Sequence, residues 1–222
     1  MVTEELFRED AYLRHCAARV LAVTEAGVVL DRTVFYPQGG GQPGDTGVLR
    51  LADGGTVLHL VAEAGGLQPG EEVVAEIDWA RRHRLMRTHS LLHLLCRTVD
   101  APVTGGQVEE GRGRLDFDLP EAGLDKDALT ARLEGWIAED RPIRASWVEE
   151  AELDARPELV RTMTVKPPRG QGRVRLVEIE GVDLQACGGT HVGTTGEIGR
   201  VAVTRVEKKG RINRRVAVAL LD

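Results

Sequence analysis

"GEEVVAEIDWARRHRLMRTHSLLHLLCRTV", Gly70 to Val99, changes its period halfway along. Up to Ile77, a short run carrying Val73, Val74 and Ile77 reads as a strand that closes the region before it. From Trp79 the apolar residues fall at 85, 86, 91, 92, 94 and 95, with few turn formers between them. That spacing predicts a helix buried on one side. The switch marks a boundary, and the chain is expected to form two domains, residues 1–79 and 80–222.

N-terminal to the switch the chain reads as β. "ARVLAVTEAGVVLDRTVFYP" (Ala18–Pro37) has β-branched runs broken at Gly27, a hairpin signal. "YPQGGGQPGDTG" follows as a Gly/Pro-rich loop, then "VLRLADGGTVLHLV" as two short strands around Asp53-Gly54-Gly55. Several short strands separated by turn signals suggest a small barrel or sandwich. C-terminal to the switch, "PVTGGQVEEGRGRLDFDLP" predicts a strand pair with Gly-rich turns. "GLDKDALTARLEGWIAEDRPI" predicts a second helix, with Asp125 as N-cap, Leu129, Leu133, Trp136 and Ile137 on one face, and Pro142 as the stop. "RVRLVEI", "RVAVTRVEK" and "RRVAVALL" predict three more strands, so the fold class is α+β.

With 42% hydrophobic and 29% charged residues, the composition is that of a soluble globular protein. No apolar run approaches the roughly 20 residues needed to span a bilayer. The opening "MVTEELFRED" is acidic where a signal peptide would be basic and then apolar, so a cytoplasmic protein without a membrane partner is expected. Three cysteines at irregular positions (Cys16, Cys96, Cys187) make no disulfide framework. The net charge of −6 is uneven: residues 1–80 carry five Arg against thirteen acids, while residues 81–222 carry 24 Lys/Arg against 22 acids. Arg200 to Arg215 holds seven basic residues and one acid, a cluster suited either to phosphates or to a solvated strand.

Inside the helix, "THSLLH" sets His89 and His93 four apart, on one face, where two imidazoles can grip one ion. The helical zinc-protease motif would need Glu at position 90; Ser90 stands there, so that reading fails. The pair alone is a weak signal. "CGGTH", Cys187 to His191, repeats the spacing with a thiol and an imidazole at the ends of a tight loop. Together the two halves make Cys-His₃, a donor set for Zn²⁺ rather than for Mg²⁺ or Ca²⁺. His15, His59 and His83 read as surface or core residues, and Cys16 as a small buried hydrophobe. Cys96, seven beyond His89, offers an alternative half-site. Four protein ligands ordinarily mean a closed structural ion, while catalytic zinc keeps a position open.

These residues carry a resemblance. "THSLLHLL" with "CGGTHVGTTGEIG" resembles the editing domain of alanyl-tRNA synthetase and its free-standing relatives, the AlaX trans-editing proteins. "RTVFYPQGGGQPGDTG" and "EIDWARRHRLMRTHSLLHLL" look like the medium-length class, which places a small N-terminal β-barrel before an α/β zinc-containing editing domain. The resemblance implies hydrolysis of mischarged Ser-tRNA(Ala), with Gly-tRNA(Ala) a possible second substrate, and sparing of Ala-tRNA(Ala). It places His89, His93, Cys187 and His191 on the family's zinc ligands, one ion per chain. It implies catalytic roles for Ser90, where many relatives have Thr, set beside the aminoacyl group so that its hydroxyl can hydrogen-bond the seryl side chain, and for Gln42, which approaches the editing pocket. Gly39, Gly40 and Gly41 would let the loop backbone approach the substrate. "KKGRINRRV" resembles the family's basic C-terminal strand, so Arg211 and Arg214 are expected to meet the tRNA, as are Arg81, Arg82, Arg84 and Arg87. The alternative is a zinc-stabilised RNA-binding module without catalysis.

Overall fold

The structure, a computed structural model, describes residues 3–25, 27–51, 57–59, 66–120, 123–156, 159–160, 172–210 and 212–222, with the backbone alone for 57–59. The turn expected at Asp53-Gly54-Gly55 and the side chain of Arg211 lie outside the described residues. The chain forms two compact units: Met1–Gln38 with Pro43–His83, and Gly39–Gln42 with Arg84–Asp222.

In the first unit, β1 (Glu4–Glu5) pairs in parallel with β4 (Arg32–Thr33). A five-stranded antiparallel sheet is built from β2 (His15–Thr24), β3 (Gly27–Leu30), β5 (Gly47–Leu51), β6 (Val57–His59) and β7 (Glu72–Ile77), in the order β3-β2-β7-β5-β6. Period-two patterning decides which face is buried. In β2, Cys16, Ala18 and Val20 turn inward; in β7, Val73, Ala75 and Ile77 do, and Cys16 pairs with Ala75 and Ala18 with Val73. Leu30, Val34, Leu49 and Leu67 complete this core.

The expected barrel is not found: among the described residues no sheet closes. Closure requires the end strands to pair. Here β3 and β6 end the order, and the chain leaving β3 enters β4, whose partner is β1. Alternation reports one buried face, which open and closed sheets share.

Helix α1 (Trp79–Val99) begins where the period changes, with Asp78 accepting from Arg81 N–H at its start. It differs from the expected one-sided helix. From Leu85 to Cys96 only Arg87 is not buried. Polar side chains are tolerated there because each has a partner: the Thr88 hydroxyl donates to Arg84 O, and that of Thr98 to Leu94 O.

In the second unit, β8 (Val103–Glu109), β9 (Arg112–Asp118), β13 (Val201–Lys209) and β14 (Asn213–Leu220) form an antiparallel sheet in the order β13-β14-β9-β8. Leu115, Phe117, Val216 and Val218 are buried along its central strands. α2 (Lys126–Ala138) is capped by Asp125, whose carboxylate accepts from Ala128 N–H, and the Val203 N–H of β13 donates to its Thr130. A second sheet, unforeseen in two of its strands, has the order β10-β11-β12, from β10 (Ile143–Glu149), β11 (Arg173–Ile179) and β12 (Asp183–Ala186). α3 (Glu150–Ala155) follows β10 directly and buries Leu153 with Val174 and Leu176.

Two basic residues of the C-terminal cluster pair with a carboxylate of the same sheet. Arg215 grips both oxygens of Asp116 (2.7 and 2.9 Å), and Lys209 reaches the same carboxylate at 2.9 Å. Arg215, opposed by burial and helped by Lys209, holds the Asp116 carboxyl down at about 2 from an ordinary 3.8. A depressed folded-state value contributes stability above about 3.8 that is lost as pH falls through about 2. Denaturant melts at stepped pH are therefore expected to show a shallower acid loss for Asp116→Asn than for the wild type. Parallel profiles would contradict this.

Candidate metal centre

The turn that begins the site is local. Gly40 and Gly41 have φ of 57° and 83°, and Gly39 and Gln42 exchange both backbone hydrogen bonds (3.1 and 2.9 Å). Two successive positive φ angles are those of a type I′ turn, which glycine adopts without steric cost. Gly41 O also accepts from Val108 N–H at 2.9 Å, fixing the turn along β8. Its product is Gln42, a polar side chain only 1% exposed.

His89 and His93 lie one helical turn apart on α1, with ring centroids 5.4 Å apart, and the His191 ring stands 4.3 and 4.5 Å from them. Cys187 Sγ is 3.6 Å from His89 Nε2 and 3.3 Å from His191 Nε2. One donor atom from each of the four residues falls within 4.8 Å of the others. Around a tetrahedral zinc, with Zn–N about 2.0–2.1 Å and Zn–S about 2.3 Å, neighbouring N and S donors stand roughly 3.5 Å apart. The two Sγ–Nε2 distances match that spacing, and the four residues together could hold one metal ion.

The far sides of the rings strengthen this. His89 Nδ1 is 2.8 Å from Gln42 Oε1, His191 Nδ1 is 3.1 Å from Ser90 Oγ, and His93 Nδ1 is 3.2 Å from Asp183 Oδ2. Holding each Nδ1 leaves each Nε2 to face the centre, the usual support of metal-binding histidines. Gln42 also receives Thr190 N–H at 3.2 Å and donates to Thr190 Oγ1 at 2.9 Å, joining the helix half of the site to the loop half. Ser90, fully buried, accepts from Val192 N–H at 3.2 Å. Arg175 spans the loop from behind, donating to Cys187 O (3.1 Å) and Gly189 O (2.9 Å).

Burial pushes the Cys187 thiol up, but the imidazoles of His89 and His191 outweigh it and hold it well below its ordinary value. Burial, with His89 and His93 beside it, holds His191 well below the usual imidazole range. Both shifts favour the metal-binding forms, a thiolate and a neutral ring. For His93 burial again opposes charge, yet Asp183 and Cys187 prevail and raise it to about 9.

The structure thus brings together His89, Ser90, His93, Cys187 and His191 with Gln42 and its glycine turn. It does not bring in Arg214, whose guanidinium donates to Asn213 O and Pro120 O. Cys96 is buried on α1 outside the cluster. Arg82, expected at a phosphate, is wholly buried against Asp45, and Arg84 and Arg87 pair with Asp222. Three supporting residues escaped the sequence reading: Arg175, Asp183 and Gln185. For two of them a signal existed. "DLQAC" places Asp183, Gln185 and Cys187 at alternating positions, hence on one face of a strand leading into a ligand.

Residues 174–217 match the second additional domain of threonyl and alanyl tRNA synthetases, and residues 10–81 match the class II (A) tRNA synthetases. The alanyl-tRNA editing protein AlaX-M of Methanosarcina mazei is 37% identical over 245 residues, covering 100% of this chain and 98% of that protein. The AlaX-M protein of Saccharolobus solfataricus is 33% identical, covering 97% and 98%. The alanine–tRNA ligase of Pyrobaculum calidifontis is 38% identical over 93% of this chain but only 25% of its own length. End-to-end similarity at this level, carried by a chain with the four-donor cluster, has one reading: the protein belongs to the AlaX-M family of alanyl-tRNA editing proteins.

Proposed function

We propose that this protein is a zinc-dependent deacylase acting in trans on tRNA(Ala) mischarged with serine, and also on the glycyl ester, while sparing Ala-tRNA(Ala). The observation that carries the reading is the convergence of three imidazoles and one Sγ, with every Nδ1 braced by a neighbouring side chain. The donor set suits Zn²⁺, one ion per chain, held by His89, His93, Cys187 and His191. When bound, zinc supplies a Lewis acid that can polarise an ester carbonyl or lower the pKa of a water.

The chain's own residues then have defined parts. Gln42 and Ser90 serve the reaction through the histidines they touch, fixing His89 and His191. Gly39, Gly40 and Gly41 shape the turn that delivers Gln42. The basic stretch that includes Arg211 and Arg214 positions the acceptor stem, since phosphate contacts orient without identifying. Serine is told from alanine by its hydroxyl. A site that pairs with a hydroxyl rejects an analogue lacking it far better than an apolar site rejects an added one. The units ending and beginning near residue 80 act as an accessory domain and an editing domain, in the cytoplasm where charged tRNA is used.

Four protein donors also suit a closed structural ion, which favours a binding module as the second reading. Incubating the protein with Ser-, Gly- and Ala-tRNA(Ala) separates them. Loss of the seryl and glycyl esters with the alanyl ester intact is expected. Tight tRNA binding with none of the three cleaved faster than in buffer would favour the binding module.

A further inference from the structure

β12 carries its buried polar residues on one side and its apolar ones on the other. Leu184 and Ala186 pack on the core of Leu153, Leu159, Val174 and Leu176. Asp183 and Gln185, each 5% exposed, meet His93 instead. Gln185 Nε2 lies 2.6 Å from Asp183 Oδ2 and 3.1 Å from His93 Nδ1, and that ring nitrogen lies 3.2 Å from Asp183 Oδ2.

These three distances form a triangle with two exclusive hydrogen-bonding states. With a proton on Nδ1, the ring donates to Asp183, and the Gln185 amide also donates to Asp183. Without that proton, the amide is a ready donor to Nδ1, and a neutral ring carries its hydrogen on Nε2. Only the first state of the neutral ring gives a metal its Nε2 lone pair.

We propose that Asp183 and Gln185 are positioning residues that select the His93 tautomer, Asp183 by accepting a hydrogen bond from Nδ1–H and by keeping the Gln185 amide occupied. Gln185 in turn anchors the carboxylate. The pair prepares one ligand of the site and touches neither ester nor tRNA. The inference rests on His93 being a metal ligand, as in the function proposed above, but not on the ester cleaved.

Its consequence is unusual for a supporting pair. Removing Asp183 frees the Gln185 amide to stabilise the wrong tautomer, so Asp183→Ala is expected to weaken zinc about 10–100-fold. Adding Gln185→Leu to that variant removes the competing donor and is expected to restore part of the affinity. Two supports of merely structural kind would instead give a double variant no better than the single.

The experiment is zinc competition against a chromophoric chelator with the full chain, its fold followed by circular dichroism, and cobalt spectra as a check on ligand geometry. Wild type, Asp183→Ala, Asp183→Asn and the double variant are compared. The Asn form keeps the volume and an acceptor oxygen, so it decides the matter if the Ala form does not fold; its expected affinity lies between wild type and Ala. Wild type that binds zinc while the folded single variants match it within about twofold, well short of the usual loss, overturns this proposal and leaves the metal reading standing. A double variant that binds no better than Asp183→Ala overturns the tautomer mechanism. Wild type that holds no zinc overturns the metal reading and this proposal with it.

Discussion

Gly189→Ala is expected to lose its metal and with it nearly all ester hydrolysis. A Cβ at Gly189 would fall well inside contact distance of His89 Cε1 and Nδ1, and 2.8 Å from Gln42 Oε1. His89 is buried and held by Gln42, so the ring cannot step aside while keeping its place among the donors. Gly189 has no left-handed backbone to protect; the constraint is space alone. Losing a supporting contact of a metal ligand typically costs 10–100-fold in affinity, and displacing the ligand itself should exceed about 100-fold. Zinc stoichiometry after dialysis against a chelator checks it. An alanine variant that retains a full equivalent would show that the loop has more room than its neighbours indicate.

The second large effect lies in the first unit. Arg82 and Asp45 are 0% and 1% exposed at their side chains. Arg82 Nε contacts both Asp45 oxygens at 2.9 Å, Nη1 reaches Ala11 O at 2.9 Å, and Nη2 reaches Val34 O at 2.6 Å. Asp45 also accepts Tyr36 N–H at 2.7 Å, so the pair fastens the end of the Gly-rich loop. Arg82→Ala strands a buried carboxylate and two carbonyls, at a cost of about 3–5 kcal/mol. For a chain of this size that corresponds to a fall in melting temperature on the order of 10 °C. The double change Arg82→Met, Asp45→Leu should recover part of it, because the stranded charge is gone while Tyr36 N–H and the two carbonyls still lack partners. Thermal melts of both variants check this; a single variant within about 1 kcal/mol of wild type would mean Asp45 finds water or another cation.

Arg82 also shows where sequence reading stops. Four arginines, 81, 82, 84 and 87, look alike in "ARRHRLMR", and charge pattern alone offers them all to phosphate. The structure gives them different fates: Arg82 pairs with Asp45, Arg84 and Arg87 pair with Asp222, and Arg81 donates to Gly44 O. No local signal separates them, because the partners are distant in sequence. The cluster that could hold a metal is legible for the opposite reason. The i, i+4 spacing is local in each half, and two such halves in one chain suggest a meeting that the structure shows as one cluster. The braces behind them needed pairing information. The alternation of Asp183 and Gln185 with Cys187 hints at one strand face but not at which ring they meet, and Gln42 acquires its role from a turn whose type depends on φ at Gly40 and Gly41. The open first sheet was hidden similarly, since alternation fixes the buried face of β2 and β7 but not what the edge strands meet.

The most direct test of the whole account is the rate of Ser-tRNA(Ala) hydrolysis by wild type and by Cys187→Ala, each with its fold and zinc content measured. The account predicts rapid seryl-ester loss with one zinc in the wild type, and a folded variant with little metal and a rate near that of buffer. A folded, zinc-free Cys187→Ala protein that cleaves the ester at the wild-type rate would contradict it, and the reaction would then have to be sought away from the His/Cys cluster.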